Sequence, residues 1–242
     1  MACKKKEGDL MKSIFKISFL FFLIIGMIWG ISSEELSLPV IKNSNGAIYH
    51  GPSGHDKVSM AINVDWGGEY IPGILNCLDE KNIKVTFFLT GNWIEKNPDL
   101  LKEIVRRGHE IGNHGYRHYH LKNMAREDII KLIKMNEELI LNLTRVKTNL
   151  FAPPYGEVDK RITEAASSIG YETIMWSADT IDWQKPAPEI IVQRAVNKIG
   201  DGGIILMHPT ANTLTALPEI ISNITKKGYK FVIISNLINR GD

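Results

Sequence analysis

Apolar positions change their spacing repeatedly after residue 57. Short runs rich in Val, Ile, Phe or Thr fall at 58–64, 85–90, 110–112, 149–151, 173–177, 203–207 and 230–234, and they read as strands. Between them the apolar residues recur every three or four positions. That spacing predicts helices over 70–80, 98–107, 126–143, 159–168, 188–198 and 214–227. Repeated strand–helix alternation implies a parallel sheet with helices packed outside it. Seven such strands in one domain point to a barrel more than to an open sheet, so the expected fold class is an α/β barrel.

The first 36 residues follow another pattern. Lys4, Lys5, Lys6, Lys12 and Lys16 precede an apolar run from Ile17 to Ile31, broken only by Ser18, Gly26 and Gly30. Positive charge ahead of an apolar run keeps the N-terminus inside and sends the following chain across the membrane. An apolar N-terminal helix is therefore expected over 1–36, as a signal peptide or a membrane anchor. The domain would be exported, either anchored or secreted. The run is shorter than the roughly 20 residues a spanning helix needs. No clear small-residue cleavage site follows it, and both readings stay open. Residues 37–56 are polar, with Ser, Asn, Gly and Pro, and read as a linker to a domain over 57–242.

Composition narrows the picture. Once the N-terminal segment is set aside, about 200 residues remain, enough for one sizeable core. The net charge of +2 gives no basic field, so nucleic acid is not an expected partner. The two cysteines, Cys3 and Cys77, fall on opposite sides of the apolar run, and no disulfide framework is expected. Cys77 sits among Ile74, Leu75 and Leu78 and reads as a buried thiol.

In parallel barrels the active site lies at the C-terminal ends of the strands. The polar residues just after the predicted strands are Asn63 and Asp65, then Asn113, His114 and His118. They are followed by Pro153, Pro154 and Tyr155, by Asp179 and Asp182, and by His208. His114 and His118 are four apart. In a single helical turn both rings would face one way and could share a metal. Two ring nitrogens and a carboxylate suit zinc or another divalent transition metal. Each residue also has a structural use. Asp179 and Asp182 can cap a helix, Trp183 can pack in the core, and residues 153–156 can form a rigid turn. His109 and His208 can be satisfied core histidines.

Several motifs occur in order. They are Thr86-Phe87-Phe88-Leu89-Thr90-Gly91, Gly108-His109-Glu110-Ile111-Gly112-Asn113-His114 and Pro153-Pro154-Tyr155-Gly156. Trp176-Ser177-Ala178-Asp179-Thr180-Ile181-Asp182-Trp183 and Leu206-Met207-His208 follow. Together they resemble the polysaccharide deacetylase (NodB-homology, chitin-deacetylase-like) family over about residues 58–234. The resemblance implies a distorted (β/α)7-type barrel and a divalent metal, usually zinc, with cobalt or nickel as alternatives. It implies acid/base hydrolysis of an N-acetyl amide on a cell-wall or spore-cortex glycan, either peptidoglycan or chitin-like. His114 and His118 match the histidine metal ligands and His208 the general acid. Asp182 looks like the carboxylate that orients His208, with Asp179 as the alternative. The Tyr155 backbone N–H resembles the oxyanion donor. Trp183, Leu206 and Pro154 resemble substrate-groove residues.

The chain departs from the family at the first motif. The family places two consecutive aspartates there, a general base and a metal ligand. Ungapped alignment on Tyr70-Ile71-Pro72 puts Asn63 and Val64 in those places, and Asp65 remains to serve as ligand or base. The arginine that usually pairs with the base is replaced by Ala152. Gly115 stands where Ser or Thr is usual. The Asn-Val-x-Trp-Gly form resembles a branch from spore-forming bacteria. Two expectations follow: a deacetylase with a rebuilt metal site, or a non-catalytic glycan-binding or scaffolding protein of the same fold.

Overall fold

The computed structural model describes residues 42–238. The apolar run and its lysine flank lie outside the described residues. Among the described residues no helix is long and apolar enough to cross a membrane.

Eight parallel strands form the sheet: β1 (Lys57–Val64), β2 (Thr86–Leu89), β3 (Glu110–Asn113), β4 (Leu150–Phe151), β5 (Glu172–Thr173), β6 (Ala178–Asp179), β7 (Ile204–Met207) and β8 (Lys230–Phe231). Their order is β5-β4-β3-β2-β1-β7-β6, with β8 joining the start of β1. The two edge strands, β5 and β6, are consecutive in the chain, and this is how the distorted barrel closes. The sequence reads 173–177 as one strand. Instead the chain leaves β4 after Thr173 and reaches β7 at Ala178. Between them the Met175 N–H bonds to Ile48 O, and the Ser177 N–H bonds to Ile204 O.

Ile48 brings in a second difference. The stretch 37–56 reads as a linker, yet from Lys42 onward it is part of the fold. Ile48 bridges Ile174 and His50 bridges Gly203, so the lead-in lies against both sides of the closure. Ala47 and Ile48 are fully buried.

The helices are α1 (Ile71–Glu80), α2 (Gly91–Lys96), α3 (Pro98–Arg106), α4 (Arg126–Thr144), α5 (Lys160–Ser167), α6 (Pro188–Lys198), α7 (Ala211–Lys226) and α8 (Ile234–Ile238). Strand alternation divides the apolar residues into two layers. Met60, Ile62, Val64, Phe87, Leu89, Ile205 and Met207 join the layer between the sheet and helices such as α1 and α7. Ala61, Phe88, Leu150, Ala152 and Ile204 fill the barrel interior with Ile48 and Ile174. At the bottom, Thr86 donates to Glu110 Oε2, and both side chains accept backbone N–H groups from the start of α8. Side chains that alternate inward at the opposite end of the same strands form the candidate site.

His109 lies away from that site. Its Nδ1 accepts the Val85 N–H, its ring meets Phe87 edge-on at 5.4 Å, and its Nε2 has no partner. Burial, followed by the charge of Lys84, pushes the ring down to about 4. The unfolded chain therefore takes up the proton first as pH falls. The stabilisation is complete above the ordinary histidine range and is lost progressively from about pH 6.5 to 4. Urea unfolding at pH 7 and pH 5 should show a loss of about 2 kcal/mol from this group. His109→Gln should remove that share, while the contribution of His114, which has the same sign, remains.

Candidate active site

A cavity of about 580 Å³ opens at the C-terminal ends of the strands. Asn63, Asp65, Trp66, His114, His118, Tyr155, Gly156, Trp176, Asp179, Trp183, Leu206 and His208 line it. The size is within the range of small-molecule sites, roughly 300–1,000 Å³.

Asn63 and Asp65 both face the cavity, as alternation requires. Val64, between them, points the other way and is fully buried with the outer apolar layer. A carboxylate at 64 would reach the cavity only if the end of β1 rotated. Asn63 is 5% exposed, and its Oδ1 has no partner among the described residues. Thr90 caps α2 by accepting the Trp93 N–H and donates its own hydroxyl proton to Asp65 Oδ1 at 2.7 Å. Asp65 is thereby tied to the start of α2.

His114 and His118 meet, but not through the helical turn that their spacing suggested. The chain bends after β3 with Gly115 at φ +77°, a left-handed conformation that favours glycine over the family's Ser or Thr. The ring centroids are 5.1 Å apart and edge-to-face. His114 Nδ1–H donates to Ala152 O at 2.6 Å, which leaves Nε2 as the free nitrogen. Burial, then the neighbouring His118, pushes His114 down to about 3. His118 is also lowered, chiefly by burial, against the opposing pull of Asp65. Asn113, read from sequence as a rim residue, instead faces α4. Its Nδ2 donates to Ile133 O, and its Oδ1 accepts from Asn136 of α4 and from the Gly115 N–H. This bracing fixes the bend that carries the two histidines.

On the opposite wall, Asp182 is fully buried behind His208. One Asp182 oxygen accepts His208 Nδ1–H at 2.8 Å. The other accepts the His208 backbone N–H and the Thr213 hydroxyl, each at 2.7 Å. His208 Nε2 is left facing the cavity. Asp179, the alternative partner, instead accepts the Ile181 N–H and holds its own turn. Tyr155 has φ 58°, and the two hydrogen bonds of its turn run from the Gly156 and Glu157 N–H groups, so its own N–H is not spent there. Trp183 and Leu206 line the cavity as expected. Pro154 does not: it is a buried member of the turn itself, next to Gly115.

Sequence reasoning missed Trp66. It is 42% exposed in the cavity wall, with its ring parallel to His208 at 5° and 6.1 Å between centroids. An aromatic in a turn that replaces a catalytic motif was the available signal.

The proposed metal set was His114, His118 and Asp65. Among the described residues no group of three or more His, Cys, Asp or Glu side chains converges closely enough to hold a metal. The two histidines meet, Asp65 stays on Thr90, and the aliphatic Val64 faces away. The donors present do not fit a three-ligand centre.

Residues 53–174 match the profile of the polysaccharide deacetylase family. The chain belongs to that family, and its fold is the CE4 distorted barrel. A peptidoglycan-N-acetylglucosamine deacetylase of Bacillus cereus is 33% identical over 187 residues, covering 74% of this chain and 87% of that protein. An uncharacterised Bacillus subtilis protein, YlxY, is 40% identical, and this chain spans 60% of its length. BA3943 from Bacillus anthracis, described as a CE4 family pseudoenzyme, is 38% identical with a TM-score of 0.79, covering 81% of this chain and 70% of that one. A BA3943 mutant is described as having restored enzymatic activity.

Proposed function

We propose that the domain recognises an N-acetylated cell-wall glycan of the peptidoglycan type and does not hydrolyse it at a deacetylase's rate. One observation carries this reading. Position 63 presents an amide, and position 64 turns an aliphatic side chain into the outer layer. An amide cannot take a proton from water, and among the described residues no third ligand joins the two histidines. The glycan class comes from the relatives named as peptidoglycan deacetylases, and the loss of activity parallels the pseudoenzyme. The expected result is calorimetric binding of chitooligosaccharide or peptidoglycan fragments, with no acetate released even in added zinc.

A second reading rests on the complete Asp182–His208 pair. Here Asp65 acts as base or third ligand with zinc, cobalt or nickel, and the protein is a slow N-deacetylase. Acetate release that falls about 100-fold in Asp65→Asn would establish it.

Export belongs to the same proposal, since the glycan lies outside the cytoplasmic membrane and the lysine flank directs the chain there. A reporter active only outside the cytoplasm, fused after Asp242, should be active. An active cytoplasmic reporter in its place would place the protein inside and remove the wall glycan as its ligand.

A further inference from the structure

We propose that Asn63 and Trp66, two of the three side chains that the rebuilt first motif brings into the cavity (Asp65 is the third), form a saccharide clamp selective for N-acetylated sugars. This rests on the recognition reading above. Trp66 carries the apolar face of a pyranose ring, and Asn63 hydrogen-bonds a polar substituent of the same unit.

Each residue is otherwise poorly placed. A buried polar atom without a partner is destabilising, and among the described residues the Asn63 Oδ1 is such an atom, on a residue that lines the cavity. Asn63 offers a carbonyl acceptor and two N–H donors, which suit an acetamido N–H, its carbonyl or a ring hydroxyl. Six large apolar side chains remain exposed among the described residues: Trp66, Tyr119, Met135, Tyr155, Trp183 and Ile190. Three of these, Trp66, Tyr155 and Trp183, line this cavity. One face of Tyr155 is already covered by His120, stacked at 3.8 Å.

The position of Trp66 is built rather than incidental. Gly67 has φ +74°, and a Cβ there would come within 2.1 Å of Pro209 O. The turn after β1 therefore presses on the residue next to His208. This close approach sets the indole beside the imidazole. A ligand with an apolar face and polar edges meets both needs, and a sugar has that form. The acetyl methyl matches the apolar walls at Leu206 and Trp183.

The test uses the full chain in detergent and measures binding of chitotetraose, its fully deacetylated counterpart and cellotetraose by calorimetry. The parent should prefer chitotetraose. Trp66→Ala should weaken that binding about 10-fold, and Trp66→Phe should keep most of it. Asn63→Leu should weaken it about 10-fold and reduce the preference over cellotetraose. Circular dichroism confirms that each variant is folded. Chitotetraose bound equally by the parent and by folded Trp66→Ala and Asn63→Leu overturns the clamp and leaves glycan recognition standing. A parent that prefers the deacetylated oligomer also overturns the clamp. A parent that binds no oligomer and no peptidoglycan fragment overturns the recognition reading and the clamp with it.

Discussion

Asn63→Asp combined with Ala152→Arg should release acetate from chitooligosaccharide in added zinc, at about 100-fold or more above the assay background where the parent is expected to sit, the usual scale for supplying a general base. Asn63 lines the cavity at the end of β1, and Ala152 belongs to the barrel-interior cluster just after β4, where its carbonyl accepts the His114 Nδ1–H. The aspartate supplies a proton acceptor where the amide has none. The arginine holds that carboxylate ionised and in place. Asn63→Asp alone should give a smaller rise, because the new carboxylate lacks its partner. Ala152→Arg alone should give none. Rates are to be compared at matched zinc occupancy, measured on the same samples. A double variant that binds zinc and glycan yet stays inactive would place the defect elsewhere, at the aliphatic Val64.

Asp182→Ala should be the most damaging substitution near the cavity. The carboxylate is fully buried and accepts three hydrogen bonds, two from His208 and one from Thr213. Its removal leaves the two part-buried His208 donors without their partner, takes one of the Thr213 hydroxyl's two partners, the other being Thr210, and frees the imidazole to turn. The expected loss is about 3–5 kcal/mol, read by urea or thermal unfolding. Asp182→Asn should cost less, since the amide retains one acceptor. The amide cannot serve both sides, so the His208 resonances should shift. Unfolding of Asp182→Ala at the parent's midpoint would show that the three bonds contribute little.

Much of this was legible in the sequence, for identifiable reasons. β1, β2 and β7 are apolar runs buried at nearly every position, and their two faces separated as the period of two requires. The same period puts Asn63 and Asp65 on one face, and both line the cavity. α2 was missed because it is six residues long and starts with glycine, with a cap at Thr90 as its local signal. The strand expected over 173–177 broke because its first part belongs to β4's edge and its last part to β7's, a demand of barrel closure that no local pattern encodes. The His114–His118 spacing suggested a helical turn, yet Gly115 and the Asn113–Asn136 brace bring the rings together through a bend. Pro154 carried the family's motif without facing the cavity. Trp66 was overlooked because a lone exposed aromatic has meaning only once its neighbours in space are known.

The bond from His114 to Ala152 reaches a main-chain carbonyl, which every residue type supplies. The ring's tautomer and aim are thus indifferent to the side chain at 152. Descent could discard an arginine there without unsettling the histidine beside it. By the same token a side chain of any type can stand at 152 without redirecting the ring of His114.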